Sequence, residues 1–218
     1  DMYRPAAFDV PGAEQALDMI DRSPFGHLVS AIDGHIDSSG LPFSADRQRG
    51  VLRAHFARAN PHWRRLDATS DLEPEVMVIF DVANTYISPS AYPSKAEHGR
   101  VVPTWNYEAV HVRGTVRLHD DVEWVRELVT DITGRQEAAR TARRVQSTPW
   151  AVTDAPSQFV DAQLAAIVGV EVEITSIEGK RKLSQNRSDA DRRGVLADLE
   201  SSPDPADQRI ASAMRRVG

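Results

Sequence analysis

Two stretches of period-two alternation constrain this chain more than any other feature. Val110, Val112, Val116 and Leu118 fall on one side, and His111, Arg113, Thr115 and Arg117 on the other. Val168, Val170, Val172 and Ile174 repeat the pattern against Glu171, Glu173 and Thr175. Successive strand side chains point to opposite faces, so each segment is a strand with one buried face. Three more strands follow from composition. Phe25 to Ile32 is mostly apolar, and Asp33-Gly34 reads as a turn into a further strand. Val51 to Phe56 alternates, with Leu52, Ala54 and Phe56 opposed to Val51, Arg53 and His55. Val76 to Val82 is a nearly continuous apolar run, as in a buried strand.

Helices lie around and between these strands. Ala13, Ala16, Leu17 and Ile20 recur at helical spacing, as do Val125, Leu128, Val129 and Ile132 behind the acidic residues Asp120, Asp121 and Glu123. Ser157 to Ala165 reads as another helix, and the C-terminus as two, near 189–199 and 205–216, with Ser201–Asp207 as linker. Six or more antiparallel strands with these helices predict an α+β fold built on a small barrel, which leaves few open edges. A single domain is expected. It divides into an N-terminal helix region (1–24), the main barrel strands (25–120), a helical insertion (121–166), the last strand with a basic segment (167–187) and C-terminal helices (188–218).

Composition narrows the chemistry. The 218 residues include no cysteine, which removes disulfides, thiolate catalysis and cysteine-based metal sites. No histidine spacing suits a metal ligand set, and no phosphate-loop, dinucleotide-loop or hydrolase-elbow motif is present, so no metal site is expected. No run of 18 apolar residues offers a membrane span. Met2-Tyr3-Arg4-Pro5 carries no apolar leader, so the cytoplasm is the expected location. The formal charge of −6 opposes binding to DNA driven by phosphate contacts.

Three segments could form a ligand site. Asn60-Pro61 reads as a capped helix start, and Arg53, His55 and Arg58 precede it, together a candidate phosphate pocket. Thr104, Trp105 and Asn106 combine an aromatic face with hydroxyl and amide groups at the start of a long strand. Lys182, Ser184, Gln185, Asn186 and Arg187 belong to the most basic stretch, 180–193, where six cations face two acids. The plainer alternatives stand beside these: solvated arginines at a capped surface helix, an aromatic anchor at a barrel rim, and a solvated basic turn.

The strings Ala59-Asn60-Pro61-His62-Trp63-Arg64, Tyr86-Ile87-Ser88-Pro89-Ser90, Pro103-Thr104-Trp105-Asn106-Tyr107 and Lys182-Leu183-Ser184-Gln185-Asn186-Arg187 occur in this order along nearly the whole chain. In them the sequence resembles the PaiB-type family of FMN-binding negative transcriptional regulators. The resemblance implies an FMN-binding split β-barrel, related to pyridoxamine-phosphate oxidases, that forms a homodimer with flavin at the subunit interface. It implies FMN phosphate contacts from the strand and turn of Arg53, His55, Arg58 and Asn60. It also implies a flavin edge along Ser38, Ser39 and Leu41, with Thr104–Asn106 and Lys182–Arg187 coming from across the dimer. This chain carries Gly40 and Ala91 where the family has histidine and tryptophan. DNA binding follows from the family's name alone. A non-flavin regulator that binds DNA or protein, and a flavin- or haem-dependent oxidoreductase of unknown substrate, remain the alternatives.

Overall fold

The computed structural model describes residues 1–69, 74–143 and 148–217. After a short helical turn at Ala6–Phe8 come α1 (Ala13–Arg22), β1 (Phe25–Ile32), β2 (His35–Pro42), β3 (Ser44–Asp46), β4 (Val51–Ala57) and α2 (Pro61–Asp67). Then follow β5 (Glu75–Ile87), α3 (Ser94–His98), β6 (Thr104–His119), α4 (Val122–Ala142), α5 (Ser157–Ala165), β7 (Ile167–Lys182), α6 (Asp189–Ser201) and α7 (Pro205–Arg216). Hydrogen-bonded neighbours in the seven-stranded sheet run β2-β1-β5-β6-β7-β4-β3. The β1–β2, β1–β5, β3–β4 and β4–β7 pairs are antiparallel. The α+β reading therefore stands. β5 and β6 are longer than their apolar runs because polar residues continue the alternation at Asn84–Thr85 and Thr104–Glu108.

The chain divides into two compact units. One comprises Asp1–Ser23, Phe80–His111 and Ile177–Gly218; the other comprises Pro24–Ile79 and Val112–Ser176.

The first unit has an apolar core of Ala83, Ile87, Tyr92, Leu183, Val195, Leu199, Ile210 and Met214. α6 packs closely onto the turn before α3. A Cβ at Gly194 would lie 2.2 Å from the Ala91 carbonyl oxygen, so no side chain fits there. Asp191 of α6 accepts hydrogen bonds from the Ser94 backbone N–H (3.1 Å) and hydroxyl (2.8 Å). These bonds, the backbone one first, hold its carboxyl below the usual aspartate range. At the centre, Glu108 of β6 is 1% exposed. It accepts from Arg181 of β7 (3.0 Å), Arg216 of α7 (3.2 Å) and Arg22 of α1 (3.5 Å). One buried carboxylate thus ties three elements distant in sequence to β6.

In the second unit, Asp33 (φ 49°) and Gly34 (φ 79°) both lie in the left-handed region. They join β1 to β2 in the two-residue turn read from the sequence. β4 pairs with β7 from Val51↔Glu173 to Ala57↔Ile167. α4 buries Val125 and Leu128, and Val125 packs with Val160 and Leu164 of α5.

Removing one partner of a buried, hydrogen-bonded ion pair typically costs about 3–5 kcal/mol. The arginines left behind are 16–43% exposed at their side chains, so Glu108→Ala is expected to lose less than that, about 1–3 kcal/mol. Urea unfolding followed by circular dichroism measures this, and a loss below about 1 kcal/mol would remove the clamp from the fold's essential contacts.

Candidate functional site

The candidate residues fall in both units. In the second unit Asn60 caps α2 as read: its Oδ1 accepts the His62 N–H at 3.0 Å, and its amide donates to Ser39 Oγ at 3.0 Å. His62 lies between two hydroxyls, with Nδ1 2.9 Å from Ser39 Oγ and Nε2 2.9 Å from Ser30 Oγ. A neutral imidazole satisfies both, since one ring nitrogen donates and the other accepts. Burial holds this ring below its ordinary value of 6.5. Ser30, Ser39 and His62 are all buried, so the cluster joins β1, β2 and α2 from within.

The basic side chains near this cap are not gathered into one pocket. Arg53 is buried and donates to Glu127 (3.2 Å) and Asp131 (3.0 Å) of α4, and its Nε has no hydrogen-bond partner. Ser44 donates to the same Asp131 oxygen at 2.8 Å. Arg58 pairs with Asp120, which holds its guanidinium above the ordinary value, and donates to the carbonyls of Ala165 (2.8 Å) and Ile167 (3.1 Å). His55 is half-buried with an unpartnered Nδ1, and burial lowers its pKa. Leu41 is buried, while Ser38 and Gly40 face outward on β2. The space beside Gly40 belongs to Phe25, whose Cζ lies 2.9 Å from where a Cβ would stand.

In the first unit the groups do converge. Lys182 Nζ donates to Thr104 Oγ1 and to the Trp105 carbonyl, both at 2.5 Å. Burial, then the charges of Arg187 and Lys180, lower the Lys182 pKa. The Trp105 indole is 54% exposed, and Tyr86, 50% exposed, meets it edge to face at 6.2 Å. Asn106 is buried and donates to Ser184 Oγ at 3.0 Å; Ser184 itself adopts a left-handed φ of 65°. Gln185 closes that turn by accepting from the Leu183 N–H (2.7 Å) and donating to the Arg181 carbonyl (2.7 Å). Arg187 lies over the Tyr92 ring at 5.0 Å, and Asn186 is exposed. Ala91, at the position of the family's tryptophan, packs against the core of this unit beside α6.

Thr104, Trp105 and Lys182 were legible as candidates; Tyr86 and Lys180 were not singled out, although Tyr86 lies in one of the strings that carry the resemblance and Lys180 in the basic stretch 180–193. His62 was hidden because a buried histidine has no spacing signature.

The fold is the flavin-binding split barrel. A FAD and heme binding protein from Mycobacterium smegmatis shares it with a TM-score of 0.54 and 18% identity, over 94% of this chain and 79% of that one. The chain belongs to the family described as "Putative FMN-binding domain", whose model matches residues 2–176. It is 32% identical over 228 residues to an uncharacterized protein of Emericella nidulans, covering 92% of this chain and 91% of the relative. It is 30% identical over 215 residues to the protease synthase and sporulation protein PAI 2 of Bacillus subtilis, covering 98% and 96%. FMN is accordingly the cofactor of this split-barrel protein.

The first unit's cluster suits such a cofactor. A flavin presents a flat apolar ring and an anionic phosphate; Trp105 and Tyr86 offer exposed aromatic surface, and Lys182 offers a cation crowded by two others. Burial is the larger cause that depresses Lys182, and an anion placed there offsets the smaller, like-charge part from Arg187 and Lys180.

His55, His62 and His119 all lie in the second unit, and burial lowers each pKa. A histidine kept neutral by folding binds fewer protons than in the unfolded chain. Its contribution is therefore fully present above the ordinary value of 6.5 and is lost as pH falls below it toward the depressed folded value. Unfolding free energy is expected to decline between about pH 7 and pH 5, with a shallower decline in His62→Gln. An unchanged slope in that variant would remove His62 from the set.

Proposed function

We propose that this protein is a homodimeric flavoprotein in which the Thr104–Trp105–Lys182 cluster holds FMN at the subunit interface. The observation that carries the reading is the meeting of exposed aromatic rings with a hydrogen-bonded, charge-crowded lysine. Trp105, with Tyr86 beside it, stacks on the flavin ring. Lys182, with Lys180 and Arg187 behind it, neutralises the phosphate, and Thr104 orients the ammonium group. Asn106, Ser184 and Gln185 fix the turn that brings Arg187 round. When bound, FMN supplies the redox chemistry; the chain supplies position and charge.

In the second unit, the Ser39, Asn60 and His62 groups are already satisfied by one another. Their role in this reading is to hold β2 in register, which leaves Ser38 facing outward. The outer face of the β1–β2 hairpin supports a dimer, because Phe25 is 56% and Ile36 78% exposed. The two side chains share that face, at opposite ends of the β1–β2 ladder, and we assign the face to a second copy of this chain.

Fluorescence titration of FMN tests the site. A charge-assisted hydrogen bond contributes about 1.5–3 kcal/mol, so Lys182→Met is expected to weaken FMN binding about 10- to 100-fold. Trp105→Leu is expected to weaken it several-fold, from lost stacking of about 0.5–1.5 kcal/mol. Wild-type affinity should fall as alkaline pH neutralises Lys182, starting below the ordinary lysine value of 10.5 because its pKa is lowered. Unchanged affinity in both variants would place the flavin elsewhere. Light scattering that finds a monomer with FMN bound would remove the interface from the reading.

A further inference from the structure

A cavity of about 210 Å³ opens between α6 and α7 in the first unit. Asp189, Arg192, Arg193 and Leu196 line it from α6, and Met214 and Arg215 from α7. The α6 residues follow i, i+3, i+4, i+7, so they form one face of the helix. The cavity lies beyond the residues that the family model matches, 2–176.

Its chemistry is specific. Three arginines against one aspartate leave a net charge of +2 around a floor of Leu196 and buried Met214. Two of the guanidinium groups are partly engaged: Arg192 donates to the Met214 carbonyl at 3.1 Å, and Arg215 pairs with Glu200 at 2.6 Å. Arg193 makes no hydrogen bond or ion pair among the described residues, and it is exposed at the rim. One open guanidinium fork donates two parallel hydrogen bonds to one carboxylate. The apolar floor asks for a body as well as a charge. Pockets for drug-sized ligands span about 300–1,000 Å³, so this one takes something smaller.

We propose that the α6–α7 cavity binds a small organic carboxylate, with its charge on Arg193 and its apolar body on Leu196 and Met214. Its lining shares no residue with the flavin cluster, although Met214 accepts a hydrogen bond from Asn106 at 3.7 Å, and the proposal does not rest on the flavin assignment.

Calorimetric titration of the full chain with benzoate, before and after saturation with FMN, tests this. One benzoate is expected to bind per chain, with the same affinity in both states and in Lys182→Met. Arg193→Ala should weaken it about tenfold, the scale of one charge-assisted bond. Leu196→Trp, which fills the cavity and leaves the arginines, should remove it. Inorganic phosphate should bind at least about tenfold more weakly, since it buries no apolar surface. Circular dichroism confirms that the variants are folded. The proposal is overturned if benzoate shows no saturable binding, if FMN displaces it, or if phosphate binds equally well and Leu196→Trp changes nothing.

Discussion

A buried glutamate with three arginines around it holds the first unit together. Taking Glu108 out of water is expensive, and only close, hydrogen-bonded cations compensate for that cost. Arg22, Arg181 and Arg216 supply them from α1, β7 and α7. Arg181 directly precedes Lys182, and Glu108 follows Thr104 by four residues along β6. The ion pair that fixes β7 against β6 therefore also fixes the Lys182 ammonium on Thr104 Oγ1 and the Trp105 carbonyl. Structural charge and ligand-facing charge sit next to each other on the same strands.

The second unit uses its cations differently. Arg53 is committed to Glu127 and Asp131, Arg58 to Asp120, and Arg65 to Asp37. With 32 acidic residues against 26 basic ones, most arginines have a carboxylate within reach. A cationic side chain is informative about ligands only where the fold leaves it crowded by its own sign or without a partner. Lys182 and Arg193 meet those conditions, and Arg58, which looked equally promising in sequence, does not.

What the sequence revealed and concealed follows the same division. Periodicity reports burial, so the alternating faces of β6, the α1 stripe and the C-terminal helices were readable; on β7 the alternation misled, because residues 168–172 are buried on both faces, Glu171 included. α5 runs from Ser157 to Ala165, as read, and α7 from Pro205 to Arg216. The Asn60 cap was readable because capping is local chemistry. Pairings were not: nothing in the order of residues links Glu108 to Arg216, or Arg53 to Asp131, across such separations. Nor does a sequence show that Phe25 fills the space beside Gly40, or that Ala91 sits against Gly194. These depend on which strands and helices become neighbours.

The most direct test of the flavin cluster is the phosphorus NMR spectrum of FMN titrated with the full-length protein. If Lys182 and Arg187 neutralise the phosphate, its resonance should shift and broaden as the flavin fluorescence is quenched. A quenched flavin whose phosphate resonance stays at the free position would show the phosphate in solvent, and would contradict the role given to those cations.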